Sequence, residues 1–197
     1  MSDVTNILLS GVGGQGTILA SNILAHVFLE AGFDVKKSEI HGMAQRGGDV
    51  VTHVRFGDKV YSPLIRYGEV DFLLSFELLE GLRCINWLKR GARVLLNNQV
   101  IPPPSVSTGR EKYPQDIVAT FRKFFRNNFY LVDGRKIAEE LGNIQAANVV
   151  LVGAFSNFFP RVPEDLWISA IRALLRESLH ELNIRAFREG RKALKSY

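Results

Sequence analysis

Short apolar runs alternate with longer mixed segments along the chain. Residues 6–10 (Asn-Ile-Leu-Leu-Ser) form an apolar run that ends in glycines, the pattern of a strand buried on both faces. Residues 17–31 predict a helix, with Ser21, Asn22, His26 and Glu30 as a narrow polar stripe and the remaining circumference covered. Residues 34–38 predict a second strand. Residues 50–56 predict a third, and Gly57-Asp58 predicts a tight turn into 59–62, so that 50–62 reads as a β-hairpin. Further strands are predicted at 70–76, 92–97 and 129–132. Helices are predicted at 77–90, 114–127, 135–141, 144–159 and 164–182, with a last basic helix from about Ile184.

Strands that alternate with helices give an α/β class. The expected architecture is Rossmann-like: a mostly parallel sheet with helices on both faces, an inserted β-hairpin and a C-terminal helical arm. Pro160 and Pro163 make the one candidate boundary. It divides a sheet domain at 1–160 from an arm at 161–197 inside a single domain.

Composition narrows the chemistry. With 197 residues, 46% hydrophobic and 23% charged, the chain is long enough for one well-covered core. A single cysteine, Cys84, excludes an internal disulfide framework and any four-cysteine zinc or iron–sulfur site built by this chain alone. No pair of its four histidines has metal-ligand spacing, so no metal site is expected. The net charge of +5 fits a phosphate-bearing ligand or an acidic subunit. Without a recognition-helix motif or interleaved aromatics it does not point to nucleic acid. No apolar run reaches a membrane span, and the opening residues lack the basic start of a signal peptide. The expected location is cytoplasmic.

Two loops carry the candidate chemistry. Gly11, Gly13, Gly14, Gln15 and Gly16 follow a strand and precede a helix, the context a G-x-G-x-x-G loop requires. Such glycines let a phosphate approach the backbone at a helix N-terminus, or else only let strand, turn and helix pack closely. A dinucleotide fold also wants an acid about 20 residues on. Glu39 is the sole candidate, and it runs straight into a second glycine loop. That second loop spans Ser38 to Gly48 and contains His41, Gly42, Gln45, Arg46, Gly47 and Gly48. Strand ends share one edge of such a sheet, so the two loops should stand side by side. Arg46 then serves either as an anion clamp or as an interface residue.

These loops, the 55–63 segment, the stretch Asn148 to Ala154 and the closing 183–190 segment together resemble the γ-type subunit of 2-oxoacid:ferredoxin oxidoreductases. Within that family the likeness is strongest to the small (β) subunit of indolepyruvate:ferredoxin oxidoreductases. It spans nearly the whole chain. The resemblance implies a subunit of an enzyme that oxidatively decarboxylates a 2-oxoacid, here an aryl-pyruvate, to acyl-coenzyme A. Thiamine diphosphate and iron–sulfur clusters are implied on a larger partner subunit, and ferredoxin is an indirect partner. Gly11, Gly13, Gly14, Gln15, Gly16, His41, Gly42, Gln45, Arg46, Gly47 and Gly48 become the cofactor-binding candidates, with coenzyme A at a shared site. The residues agree with this division of labour: Asp133-Gly134 lacks the preceding glycine of a thiamine motif, and Asn97-Asn98 stands before it in the chain. No catalytic residue is assigned. The competing readings are a stand-alone enzyme that binds NAD or AMP and a purely structural partner subunit.

Smaller features read as structure. His26 fits a helix stripe, His53 a solvent-facing or interface position on a strand, and His180 a helix C-terminus. Cys84 fits inert core. Glu77 and Glu80 suit a helix start. Phe121, Phe124 and Phe125, and likewise Phe155, Phe158 and Phe159, read as core or, if exposed, as interface.

Overall fold

The computed structural model describes residues 4–41 and 48–194, with the backbone alone described at His41. Six strands form one sheet in the order β2-β3-β1-β4-β5-β6: β1 (Thr5–Val12), β2 (Asp34–His41), β3 (Asp49–Gly57), β4 (Val70–Ser75), β5 (Leu88–Asn97) and β6 (Phe129–Val132). β1, β4, β5 and β6 pair in parallel. β3 lies antiparallel between β1 and β2. The mixed α/β class therefore holds.

Alternation along each strand divides the core between the two faces. Ile7 and Leu9 of β1 pack on one side with α1 (Thr17–Glu30), α6 (Ala147–Ser156), α7 (Glu164–Leu174) and α8 (His180–Ala193). Leu8 of β1 packs on the other side with α2 (Leu78–Arg83) and α4 (Ile117–Phe125). In chain order α3 (Pro104–Ser107) precedes α4, and α5 (Gly134–Glu140) follows it and joins the layer of α6 and α8 through Ala138. From β1 the chain moves outward through α1 toward β2, and from β4 it moves the opposite way through α2 to β5. The winding therefore reverses between β1 and β4, the place where open α/β sheets form a crevice at their carboxyl ends.

The two long helices of the arm share the core of the sheet domain. Trp167 of α7 and Phe187 of α8 are fully buried, with ring centroids 5.8 Å apart. α8 crosses α6 on a pair of glycines. A Cβ on Gly153 would stand 2.0 Å from the Phe187 carbonyl oxygen, and one on Gly190 1.9 Å from that of Val150. Only hydrogen fits at either contact, so the two helix backbones touch. Among the described residues no helix is long and apolar enough to cross a membrane.

Three elements differ from the sequence expectation. Residues 59–62 form no strand; β3 makes its hairpin with β2 instead, in register from Asp34↔Gly57 to His41↔Val50. The helix expected at 77–90 stops at Arg83, passes through a 3-10 turn at Ile85–Trp87, and gives way to β5 at Leu88. The helix expected at 164–182 breaks at Leu175, where the backbone is extended, and restarts at His180. His180 Nε2 lies 2.9 Å from the Leu175 carbonyl and 3.1 Å from that of Arg172, so the side chain closes the C-terminus of α7.

Candidate functional site

A cleft of about 330 Å³ opens at the carboxyl edge of the sheet. One wall is Gly14, Gln15 and Gly16; Phe76, Asn97 and Gln99 form the floor; Arg135, Ile144, Gln145, Asn148 and Leu151 form the far wall. It lies at the reversal between β1 and β4, with the start of α6 facing the start of α1.

The glycines of the first loop divide their duties. Gly11 lies in β1 opposite Val50. A Cβ there would meet Phe76 Cβ and Thr17 Oγ1 at 2.9 Å, so its role is close packing. Gly13 donates its N–H to the Gly48 carbonyl at 2.9 Å, which ties the first loop to the end of the second. Gly14 and Gly16 line the cleft and have φ of 99° and 82°, a region open chiefly to glycine. Gln15 lines the cleft too, yet its amide is engaged by protein. Its Oε1 accepts from Val12 N at 2.7 Å, and its Nε2 donates to the Phe76 carbonyl at 2.8 Å and to Gln99 Oε1 at 3.1 Å. Asn97 fixes the floor from the other side. Its Nδ2 donates to the Phe76 carbonyl and to Gln99 Oε1, and its Oδ1 accepts from Gly134 N at 3.0 Å.

The electrostatics favour an anion. α6 continues from the 3-10 turn Ile144–Ala146, and its first N–H, that of Ala147, already donates to the Ile144 carbonyl; α1, by contrast, has glycine at its N-cap, no side-chain cap and no acid in its first turn. Uncapped helix starts leave N–H donors and partial positive charge facing outward. Asn148, only 6% exposed, gives its Oδ1 to Val149 N at 2.8 Å. No acceptor faces its Nδ2 among the described residues. Arg135 supplies a full charge at the rim while it pairs with Glu139 at 2.8 Å. Ile144 and Leu151 add an apolar strip for an uncharged part of a ligand. Among the described residues no group of three metal-ligating side chains occurs.

Of the second loop, Gly42, Gln45, Arg46 and Gly47 lie outside the described residues, as does the His41 side chain. The His41 backbone pairs with Val50 at the end of β2, and Gly48 meets Gly13 as above. The two loops thus adjoin at Gly13 and Gly48. The ribose acid of a dinucleotide site is displaced, however. Glu39 sits on β2, two strands from β1 because β3 intervenes, and its Oε1 pairs with Lys37. Two strand spacings, roughly 10 Å, separate it from β1, one spacing more than the neighbouring strand that carries the ribose acid in a dinucleotide fold.

Behind the same edge lies a second buried polar group. Glu77 is fully buried and caps α2, its Oε2 accepting from Glu80 N at 2.8 Å. Its Oε1 accepts from Ile101 N and from the Tyr113 hydroxyl at 2.5 Å. That hydroxyl accepts from Leu79 N, and burial together with Glu77 pushes its pKa upward. Burial also pushes the Glu80 carboxyl up to about 7, against the pull of Arg83 at 2.8 Å and with help from Glu77 and Asp49. Cys84 is buried, and desolvation pushes its thiol up to about 11, so it is inert at neutral pH.

His53 corrects the sequence reading. It is 1% exposed rather than at the surface, because β3 is an interior strand and the 58–69 segment folds across it. Its Nδ1 accepts from Ile65 N at 3.2 Å, Trp87 stands edge-on at 5.1 Å, and burial lowers its pKa. His26 pairs with Glu30 at 3.1 Å, as its helix stripe suggests.

Asn148, Arg135, Gln99 and Gln145 were not singled out from the sequence as ligand-facing. The available signal was an amide, Asn148, opening an otherwise apolar run.

A family model described as pyruvate ferredoxin/flavodoxin oxidoreductase matches residues 6–193. The chain belongs to this family. Its relatives there include an indolepyruvate oxidoreductase subunit IorB of Thermococcus kodakarensis, 42% identical over 194 residues that cover 96% of each chain. The pyruvate/ketoisovalerate oxidoreductases common subunit gamma of the same organism is 27% identical and covers 93% of this chain and 94% of its own. Among solved structures, pyruvate oxidoreductase subunit PORC of Thermotoga maritima superposes with a TM-score of 0.72 at 23% identity, over 98% and 97% of the two chains. A 2-oxoglutarate:ferredoxin oxidoreductase of Magnetococcus marinus, solved with 2-oxoglutarate, coenzyme A and succinyl-CoA, has a TM-score of 0.75 at 19% identity; the match covers all of this chain but 32% of the other. The family fold can therefore stand as a separate polypeptide or as part of a longer one.

Proposed function

We propose that this chain is the small subunit of a cytoplasmic 2-oxoacid:ferredoxin oxidoreductase of the indolepyruvate type. Full-length likeness to indolepyruvate oxidoreductase subunits carries that assignment. In this reading thiamine diphosphate, the iron–sulfur clusters and the contact with ferredoxin belong to the larger companion subunit, and this chain completes the site where the acyl acceptor enters.

The cleft between α1 and α6 supports an anionic, phosphate-bearing acceptor, which points to coenzyme A. When bound, coenzyme A supplies the thiol that takes up the acyl group. The residues of this chain bind and orient it. The free N–H groups at the start of α1 take phosphate oxygens. Asn148 lines the cleft with its Nδ2 without an acceptor among the described residues, and Arg135 offers the counter-charge. Gln15 and Asn97 set the shape of the floor and take no proton. The displaced Glu39 weighs against the NAD alternative, since it cannot reach a ribose held at β1.

Calorimetric titration of the assembled complex tests this reading. Coenzyme A should bind, Arg135→Ala and Asn148→Ala should each weaken it about tenfold or more, and NAD should not compete. Unchanged coenzyme A affinity in both variants would remove the cleft from the reading; tight NAD binding with turnover by the lone chain would overturn the whole of it.

A further inference from the structure

The amides on the floor of the cleft are turned one way, and fixed backbone groups decide which. An amide side chain can be placed either way round, so its sense is read from partners that cannot turn. Gln15 lies between two such partners: Val12 N can only donate, and the Phe76 carbonyl can only accept. Its oxygen therefore points at Val12 and its nitrogen at Phe76. Asn97 is fixed in the same manner, its oxygen on Gly134 N and its nitrogen on the Phe76 carbonyl.

Both of these amides present nitrogen to Gln99. Gln15 Nε2 stands at 3.1 Å and Asn97 Nδ2 at 2.9 Å. The end of Gln99 that meets them must be its oxygen, and two donors fill the two lone pairs of that oxygen. Gln99 Nε2 is left over, with no acceptor among the described residues. The buried side-chain atoms without a partner are Thr17 Oγ1, Thr52 Oγ1, His53 Nε2 and Trp167 Nε1. Gln99 Nε2 is not among them, so it is open, and the opening beside it is the cleft that Gln99 lines.

The same bias continues around the cleft. Asn148 turns its oxygen to Val149 N and keeps its nitrogen for the cleft. Arg135 carries donors only, and the uncapped start of α1 adds backbone N–H groups. Gln145, exposed at the rim, is the one lining amide whose sense no hydrogen bond fixes among the described residues. A group that only accepts is satisfied across such a surface. A group that must also donate, such as a ribose hydroxyl or an amide N–H, would leave its own hydrogen unpaired.

We infer that Gln99 is a specificity-determining residue of the cleft: its Nε2, aimed by Gln15 and Asn97, donates to a phosphate oxygen and lodges the phosphate end of the ligand here rather than its ribose or its thiol arm. The inference rests on the coenzyme A reading given above. Gln99 acts by contact; Gln15 and Asn97 act through it as positioning residues.

Calorimetry on the assembled complex tests it with three probes: coenzyme A, inorganic pyrophosphate, and pantetheine, which keeps the thiol arm and has no phosphate. Gln99→Glu retains an oxygen for Gln15 and Asn97 but turns an anionic oxygen to the cleft. It should weaken coenzyme A and pyrophosphate at least about tenfold and leave pantetheine as it was. Gln99→Met, uncharged and of similar size, should weaken the same two probes by a smaller factor, and it decides the matter should the Glu variant not fold. Asn97→Asp still accepts from Gly134 N but no longer donates to Gln99, whose amide is then free to turn. Pyrophosphate should lose affinity relative to pantetheine, whereas a merely structural role would change both alike or neither. If both Gln99 variants bind coenzyme A and pyrophosphate as the wild type does while Arg135→Ala weakens them, the Gln99 assignment is wrong and the cleft reading stands. If Arg135→Ala is also without effect, the coenzyme A reading of the cleft falls and this inference with it. Pyrophosphate that fails to compete with coenzyme A in the wild type, or pantetheine weakened in step with coenzyme A by the Gln99 variants, would overturn the proposal.

Discussion

Gly16 and Asn148 hold one another in place: a Cβ on Gly16 would lie 2.2 Å from Asn148 Nδ2. The contact joins the start of α1 to the start of α6, and so sets the width of the cleft. Gly16 also has φ of 82°. Gly16→Ala should therefore lower stability by about 2 kcal/mol, from left-handed strain plus the clash. It should also abolish coenzyme A binding. Asn148→Ala removes the obstacle and the donor together, so it should fold normally and bind weakly. Denaturant unfolding and ligand titration of both variants separate the two effects.

The buried Glu77–Tyr113 pair ties the loop after β5 to the start of α2. Tyr113→Phe leaves a fully buried carboxylate short of one donor. The expected loss is about 1.5–3 kcal/mol of stability, with coenzyme A affinity unchanged because the pair does not line the cleft. Chemical denaturation of the variant measures the first and titration the second.

Glu80 gives a pH dependence with a definite sign. Its folded carboxyl is held at about 7, well above the ordinary value near 4.5, so folding favours the protonated form. Its contribution is fully present below about 4.5 and is lost as pH rises through about 7. Glu80→Gln should raise stability at pH 8 by up to about 3 kcal/mol and leave it nearly unchanged at pH 4.5. Thermal unfolding of both proteins across that range gives the answer; a variant equally destabilised at both ends would show that the Arg83 contact outweighs desolvation.

The arm depends on its glycine contact. Gly190→Ala places a methyl group 1.9 Å from the Val150 carbonyl oxygen, and neither helix backbone can yield cheaply. A loss of about 3 kcal/mol is expected, with hydrogen exchange speeding up first in α6 and α8. Leu179→Ala, at a 37% exposed position, serves as a tolerant control.

The sequence pattern reveals what is local. The run at 6–10, the glycines after it and the helix from Thr17 were legible because apolar runs, turns and caps act within a few residues. The insertion of β3 between β1 and β2 was not, since a strand's neighbours are chosen by long-range packing. Without that placement His53 reads as facing solvent or an interface, and 59–62 as paired. The false helix through 77–90 arose because Leu82, Ile85 and Leu88 keep helical spacing while β4 draws Leu88 into the sheet. At the cleft, the glycine loop was evident, but that Gln15 is consumed by Val12, Phe76 and Gln99 could be seen only with the strands in place. The far wall comes from Arg135 to Leu151, 119 to 135 positions beyond Gly16.

The most direct measurement is anaerobic turnover of indolepyruvate with coenzyme A and ferredoxin, by this chain alone and after assembly with its larger companion. The account predicts no conversion by the chain alone, and full turnover on assembly that Arg135→Ala impairs through coenzyme A affinity. Conversion by the isolated chain, or an assembly in which the companion is equally active without it, would contradict the account.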